Sequence, residues 1–203
     1  MSMLIANCDH WIGFHIASVL LERSYTVDGI GDENSDLAMF LGRNSSFHFV
    51  KSDVSKQYAF AIVIGDQEGS DQFQSGYTLM INPTRKDRVS NRVIINAPLL
   101  FGEWMPMNEQ GVYCNNSFIT FDSDYFQTEA IYIKDFTNGL LQWLKTEELP
   151  SHLEVRSEKN KENQHVKLEN AIYIRDNRPM EEKVSNVLEH YRMYSNFYEN
   201  LYV

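Results

Sequence analysis

The sequence predicts an α/β fold: a Rossmann-like, doubly wound parallel sheet with helices on both faces and a small C-terminal appendage. Short apolar runs, which suit strands buried on both faces, recur along the chain. In the first fifty residues these runs alternate with helical periodicity across short connections. With 203 residues, of which 43% are apolar and 23% charged, the chain is long enough to bury the core of such a domain.

The first half of the chain supplies most of the predicted sheet. Residues 3–6 are too short an apolar run for a helix and suit a buried strand. The period then changes, because apolar residues recur every three or four positions from Ile12 to Leu20, which predicts an amphipathic helix over residues 11–23. Further strands are predicted over residues 26–30, 47–50, 59–64, 77–81 and 92–97, with a short helix over residues 35–41 that Gly42 ends.

The second half is less regular. Residues 99–127 show no sustained period, apart from an alternating patch that suits a hairpin around Asn115 and Asn116. A short apolar run precedes a predicted helix over residues 134–145, and the polar residues 151–167 are typical of a solvated linker or an exposed loop. Residues 171–174 suit a last strand, and Pro179 opens a terminal helix. We therefore expect a Rossmann-like, NAD(P)-binding-type domain over residues 1–148 and an appendage, packed on it, over residues 149–203.

Charge and cysteine content exclude several classes of partner. The 28 acidic and 18 basic residues leave a formal charge of −10, which argues against nucleic acid or an anionic membrane surface. The two cysteines, Cys8 and Cys114, are too few for a disulfide framework, and the first residues lack the basic and apolar regions of a signal peptide. No run approaches the roughly 20 apolar residues of a membrane span. We expect a cytoplasmic protein with reduced thiols.

The turn between the first strand and the first helix reads IANCDHWIGFHIASVLLERSYTVDGIG. It resembles the opening of the extended short-chain dehydrogenase/reductase superfamily, and specifically its NAD-dependent nucleotide-sugar epimerases and dehydratases. Asn7 and His10 occupy the first two glycine positions of that family's TGxxGxxG turn, and Gly13 occupies the third. Similarity continues in the same order to about residue 145, through FHFVKSDV, AFAIVIGD, RVIINAPLLFGEW and EAIYIKDFTNGLLQWLK. In these segments, Phe101 and Gly102 match the family's Tyr-Gly pair, and Asp135 matches a motif aspartate.

The resemblance implies where NAD would bind. The turn residues Asn7, His10, Trp11, Ile12 and Gly13 would face the pyrophosphate. Gly31 stands where the family keeps the acid that binds the ribose hydroxyls, and Asp32 or Glu33 could replace it, which would favour NAD over NADP. Asp53 and Val54 match the segment near adenine, and Gly65 ends the strand beneath the cofactor.

Two departures from the family decide the expected chemistry. The family uses a Tyr and a Lys four residues later on one helix, where the Lys lowers the pKa of the tyrosine. None of the eleven tyrosines here has Lys at that spacing; Tyr58, for example, is followed there by Ile62. Only ten residues, NPTRKDRVSN, separate the fifth and sixth predicted strands, where the family keeps a long active-site helix. The catalytic segment is therefore predicted to be deleted.

The turn itself keeps only one of the three glycines of the family pattern, Gly13. Asn7 tolerates positive φ better than most residues. The imidazole of His10 would clash with a pyrophosphate in the family position, or donate a hydrogen bond to a differently placed anion.

Several of these residues also have ordinary structural explanations. A metal site at His10 and His15 is disfavoured, because no third ligand is identifiable nearby. Cys8 suits a buried thiol better than a reactive one. Asp53 and Asp135 could cap helices, and Gly13 allows close helix packing in any such fold.

Core packing is the default role of a terminal stripe of apolar residues at helical spacing, and a dimer interface is the alternative. This aromatic stripe consists of Leu188, Tyr191, Tyr194, Phe197, Tyr198 and Leu201.

Three functional hypotheses follow. The leading one is a degenerate, non-catalytic relative of these enzymes that acts as a nucleotide-sensing, regulatory or assembly protein, with NAD or a nucleotide sugar as the implied ligand. The second is an atypical NAD(P)-dependent reductase or epimerase whose proton donor is His10, Asp66 or Tyr77, near the carboxyl ends of the strands. The third is a structural subunit that pairs, through the aromatic stripe, with a second copy or a related epimerase.

Overall fold

The chain divides into two compact units. The computed structural model describes residues 2–51, 56–67, 73–84, 91–146, 148–160 and 170–201. The first unit comprises Met1–Asn96 and Trp143–Leu153, and the second comprises Ala97–Gln142 and Glu154–Val203. The predicted boundary after residue 148 stays a prediction.

The first unit is built around a parallel sheet. Its strands are β1 (Ser2–Ala6), β2 (Thr26–Ile30), β3 (Phe47–Phe49), β4 (Tyr58–Ile64), β5 (Ser75–Ile81) and β6 (Arg92–Asn96). They lie in the order β6-β5-β4-β1-β2-β3, and every pairing between them is parallel. The order reverses at β1, as in a Rossmann sheet, so that ligands of such folds bind beyond the carboxyl ends of the strands there. The predicted fold class is confirmed.

Two helices in the first unit follow β1 and β2. Helix α1 (Trp11–Glu22) buries Ile12, Ile16 and Leu20 on its apolar face, as the sequence spacing predicts. Helix α2 (Asp36–Leu41) begins at Ser35, whose hydroxyl accepts a hydrogen bond from the Ala38 N–H at 3.1 Å. This side-chain cap satisfies one of the backbone donors left free at a helix start.

The second unit combines short strands and helices. Its opening elements are β7 (Leu100–Phe101), the antiparallel hairpin of β8 (Gly111–Cys114) and β9 (Ser117–Thr120), α3 (Asp124–Glu129), β10 (Ile131–Tyr132) and α4 (Ile133–Trp143), whose last residue belongs to the first unit. The closing elements are β11 (His152–Ser157), which begins in the first unit, a 3-10 helix (Glu158–Asn160), β12 (Ala171–Ile174), α5 (Met180–Met193) and α6 (Ser195–Leu201). The hairpin turns at Asn115 and Asn116, both with positive φ, as predicted.

Two predictions for the second half are wrong. Residues 152–157, predicted as part of a solvated linker, form strand β11, in which Leu153, Val155 and Ser157 are buried alternately with half-buried neighbours. Residues 161–167 of that predicted linker lie outside the described part of the chain. Residues 124–127, the end of the segment predicted to be irregular, belong to helix α3. The helix begins at Ser123, whose hydroxyl accepts a hydrogen bond from the Phe126 N–H at 3.3 Å.

None of the helices in the described ranges is long and apolar enough to cross a membrane.

Gly13 gives a direct test of how tightly α1 packs against the end of β1. A Cβ at Gly13 would lie 2.2 Å from the Asn7 carbonyl oxygen and 3.0 Å from the Cys8 Cα, so Gly13→Ala must shift backbone. We expect Gly13→Ala to lower the free energy of unfolding by about 1–3 kcal/mol in urea denaturation followed by circular dichroism.

Gly42→Ala is the matched control, because the nearest atom to a Cβ at Gly42 is a side-chain atom of Phe49, 3.5 Å away. Gly42 has a φ of −61°, which alanine adopts readily. We expect this variant to be as stable as the wild type or slightly more stable. Equal stability of Gly13→Ala and the control would contradict the close approach.

Candidate functional site

The candidate site is the turn at the carboxyl end of β1, where Asn7 leaves the strand. Asn7 has a φ of 59°, in the left-handed region that asparagine tolerates better than most residues. Its amide nitrogen donates hydrogen bonds to the carbonyl oxygens of Ile64 at 2.7 Å and Asp66 at 3.3 Å. Asn7 therefore ties this turn to the end of the neighbouring strand β4.

Asp66 lies at the same edge of the sheet but is itself engaged. Its carboxylate accepts hydrogen bonds from the backbone N–H of Thr84, at 3.1 Å, and from the Thr84 hydroxyl. Tyr77 lies on β5 four residues before Ile81, the partner of Ile64 across the strand pair. At about 3.3 Å per residue it is roughly 13 Å from the carboxyl end of the sheet. Of the proposed proton donors, Asp66 lies at the carboxyl edge, and Tyr77 does not.

His10 caps helix α1. Its Nδ1 accepts a hydrogen bond from the Ile12 N–H at 3.2 Å, and its own backbone N–H donates to the Asn7 carbonyl at 3.1 Å. An Nδ1 that accepts is unprotonated, so the ring cannot be an imidazolium in this arrangement. His10 is exposed overall, but desolvation of its ring lowers its pKa from the ordinary value of 6.5, while the nearby Asp9 carboxylate acts in the opposite direction.

The carboxylate of Asp9 lies against Gly31, just beyond the end of β2. A Cβ added to Gly31 would lie 2.2 Å from Oδ1 of Asp9 and 3.2 Å from Sγ of Cys8. The Asp9 side chain therefore fills the space next to Gly31. The resemblance assigns the position of Gly31 to the ribose-binding acid. The sequence reasoning missed Asp9, because only the fold brings residues 9 and 31 together.

Cys8 is completely buried behind this turn. Burial raises the pKa of its thiol to about 12, so at neutral pH it is not a thiolate. This agrees with the interpretation of Cys8 as a structural thiol.

The other implied binding residues are dispersed. Trp11 and Ile12 are buried in the first turn of α1. Asp32 is exposed, and its carboxylate accepts a hydrogen bond from the Asn34 N–H at 3.0 Å. Gly65 directly follows β4 with a φ of 66°, and its N–H donates to the Ile81 carbonyl at 2.8 Å. Asp53 and Val54 lie outside the described residues.

This turn does not fit the pyrophosphate of NAD as that group binds in a Rossmann fold. Such a phosphate accepts from N–H groups at the helix start and needs close access to backbone. Here His10 already accepts from the Ile12 N–H, and the turn carries the Asp9 carboxylate, which repels an anion. In the described part of the chain, no group of three or more His, Cys, Asp or Glu residues is arranged to hold a metal ion.

A polar cluster in the second unit contains a tyrosine and a lysine. The Tyr132 hydroxyl donates to Oε1 of Glu103 at 2.9 Å, and Lys134 Nζ donates to the same oxygen at 2.5 Å. Burial and the Glu103 charge raise the pKa of Tyr132 to about 12, against the opposing effect of Lys134. A catalytic tyrosine of the family type needs a lowered pKa, so this pair is not its substitute.

Lys183 is a completely buried cation in the second unit. Its Nζ lies 2.6 Å from Oδ2 of Asp135 and 2.5 Å from Oδ1 of Asp176, and Asn177 donates to the other Asp135 oxygen at 2.7 Å. Asp135, considered above as a helix cap, lies inside the first turn of α4 and instead pairs with Lys183. The local sequence carried no signal for this contact.

The aromatic stripe packs inside the second unit around Trp104. The Tyr198 hydroxyl accepts from the Trp104 N–H at 2.7 Å, and the Tyr198 ring stacks on the Trp104 ring with centroids 5.5 Å apart. Tyr194 and Phe197 also contact the Trp104 ring. The described contacts of the stripe therefore match core packing.

Comparison with known proteins gives a likeness of fold. No protein-family model matches this sequence, and no curated protein matches it significantly. Among solved structures, the UDP-glucose 4-epimerase of Thermotoga maritima matches at a TM-score of 0.59 and 11% identity, over 95% of this chain and 99% of that chain. The UDP-glucuronic acid 4-epimerase of Bacillus cereus, solved with NAD, matches at 0.58 and 11%, over 96% and 98%.

An NAD-dependent NDP-hexosamine 5,6-dehydratase involved in tunicamycin biosynthesis matches at a TM-score of 0.55 and 12% identity, over 95% of this chain and 98% of that one. The chain therefore shares its fold with these two epimerases and this dehydratase, as the sequence resemblance predicted.

The buried Lys183 gives a test of the second unit. Lys183→Met leaves the carboxylates of Asp135 and Asp176 without their buried cation, and removing one partner of a buried ion pair is strongly destabilising. We expect a loss of about 3–5 kcal/mol in the free energy of unfolding in urea.

Arg178→Met is the control, because it removes a cation from an exposed pair with Glu182. Exposed pairs contribute about 0–1 kcal/mol, so this variant should unfold nearly like the wild type. Equal losses in the two variants would show that the Lys183 cluster contributes no special stability.

Proposed function

We propose that this protein is a non-catalytic relative of NAD-dependent nucleotide-sugar epimerases and dehydratases, and that it acts as an assembly or regulatory protein. The observation that carries the proposal is the ten-residue connection, residues 82–91, between β5 and β6. It cannot contain the long active-site helix of the family, and no tyrosine in the sequence has a lysine four residues after it. The fold is retained while the proton-transfer pair is absent.

The candidate site adds support. A chain that kept dinucleotide chemistry would need open access to the start of α1, whereas here His10 and Asp9 fill the turn. Tyr132, the tyrosine in the described polar cluster with Lys134, has a pKa raised to about 12. Both features disfavour the atypical reductase or epimerase, whose remaining donors would be His10 and Asp66.

An exposed aromatic surface in the second unit supports a role in assembly. Tyr113 on β8 and Phe118 on β9 are 51% and 40% exposed, and their ring centroids lie 4.9 Å apart. They line an open groove of about 530 Å³ with uncharged neighbours at the hairpin turn. Grouped exposed aromatic side chains are typical of protein interfaces. We assign this hairpin surface to contact with a second copy of the chain.

Catalysis is tested with the wild-type protein, NAD and UDP-glucose, UDP-galactose or UDP-glucuronic acid, with sugar interconversion followed by chromatography. We expect no product above that of a buffer blank, because the acid/base pair is missing. Turnover that scales with protein concentration would contradict the non-catalytic proposal, and its loss in Asp66→Asn or His10→Ala would then identify the donor.

Self-association is tested by sedimentation velocity over a concentration series. We expect the weight-average sedimentation coefficient of the wild type to rise with concentration, and that of Tyr113→Ser/Phe118→Ser to stay constant, because the double variant loses the apolar contact area. Met193→Ser, which removes a 67% exposed apolar side chain on α5, serves as the control and should behave like the wild type. A concentration-independent wild type would refute the hairpin interface.

A further inference from the structure

The turn from Asn7 to Gly13 is occupied by side chains of the chain itself, and this bears on which ligands the fold can accept. Three separate contacts close it. The Nδ1 of His10 accepts a hydrogen bond from the Ile12 N–H, and the Asp9 carboxylate lies next to Gly31. The Asn7 amide donates a hydrogen bond to the Ile64 carbonyl at the end of β4. We call the segment Asn7–Gly13 with these contacts the closed turn.

His10 occupies the electropositive end of α1. The first N–H groups of a helix lack partners within the helix and attract anions. In the closed turn an uncharged ring nitrogen accepts from one of them at 3.2 Å. A phosphate oxygen could use this donor only after the imidazole had moved away.

Asp9 adds a charge of the wrong sign for a phosphate. Its Oδ1 is so close to Gly31 that a Cβ there would lie 2.2 Å away. The carboxylate thus sits between the start of α1 and the end of β2, the two places that hold the pyrophosphate and ribose in a Rossmann site. At a partly exposed site, like charges a few ångströms apart weaken binding by roughly tenfold or more.

Asn7 holds the closed turn in shape. Its positive φ directs the chain sharply from β1 toward α1, and its side chain bonds the carbonyl of Ile64 at 2.7 Å. Gly13 lets α1 approach the Asn7 carbonyl. The backbone of the turn therefore keeps the path that dinucleotide binding needs. The side chains of His10 and Asp9 fill the space that the dinucleotide would occupy.

We propose that His10 and Asp9 are the specificity-determining residues that exclude dinucleotides from this Rossmann unit. Replacing Asp9 with an uncharged side chain and His10 with a smaller one opens the site to NADH. The inference rests on the proposed non-catalytic function, and it assigns the exclusion to two side chains rather than to the loss of the backbone site.

The experiment measures NADH binding to the full-length chain by isothermal titration calorimetry, in the wild type and in Asp9→Asn/His10→Ala. The matched control is Asp36→Asn/His15→Ala. It makes the same two substitutions elsewhere, Asp to Asn in the first turn of α2 and His to Ala within α1. We expect the wild type and the control to remain unsaturated at about 1 mM NADH, the weak end of ordinary affinities. The double variant should bind roughly tenfold tighter or better, and inorganic pyrophosphate should compete.

Three results would overturn the exclusion: wild-type binding equal to that of the double variant, no gain in a double variant that melts like the control, or a gain that pyrophosphate does not reduce. If the double variant fails to fold, His10→Gly replaces it, because glycine is accepted at a helix N-cap. The failure of the proposed function is separate, since it is shown by turnover of a nucleotide sugar and not by NADH binding.

Discussion

The close approach of α1 to the Asn7 carbonyl at Gly13 is the constraint on which the candidate site depends. It fixes where the helix begins, and so where the residues just before it must lie. His10 then stands at the N-cap and Asp9 reaches Gly31 beyond β2. In folds of this type, a phosphate commonly binds at an unoccupied helix N-terminus. Here, side chains of the chain itself occupy that position. The same packing that preserves the Rossmann geometry therefore also holds the occluding groups in place.

The short connection between β5 and β6 leaves the pairing of these two strands intact. Parallel strands need a crossover between them, but the crossover need not carry catalytic residues. The register of β5 with β6 is intact from Thr78 to Ile81, although only ten residues join the strands. In the second unit, the buried Lys183 pairs with the carboxylates of Asp135 and Asp176. A fold of this kind does not by itself imply an activity.

The first unit could be predicted from the sequence nearly element by element, because strands buried on both faces are continuous apolar runs. Strand β11 was missed although Leu153, Val155 and Ser157 alternate, since polar neighbours dominate its composition. Helix α3 has six residues, too few for a periodic signal. The Asp9–Gly31 contact and the Lys183 cluster join distant parts of the chain, which no local pattern records. The sequence singled out His10, but it did not indicate that the ring accepts a hydrogen bond from its own helix.

Native mass spectrometry of the protein, purified without added nucleotide, tests the central claim most directly. If the scaffold has lost both its proton-transfer pair and an open dinucleotide site, each 23.7 kDa chain carries no dinucleotide in any oligomeric state observed. A stoichiometric mass increase equal to NAD or NADP, retained through purification and released on denaturation, would contradict this account.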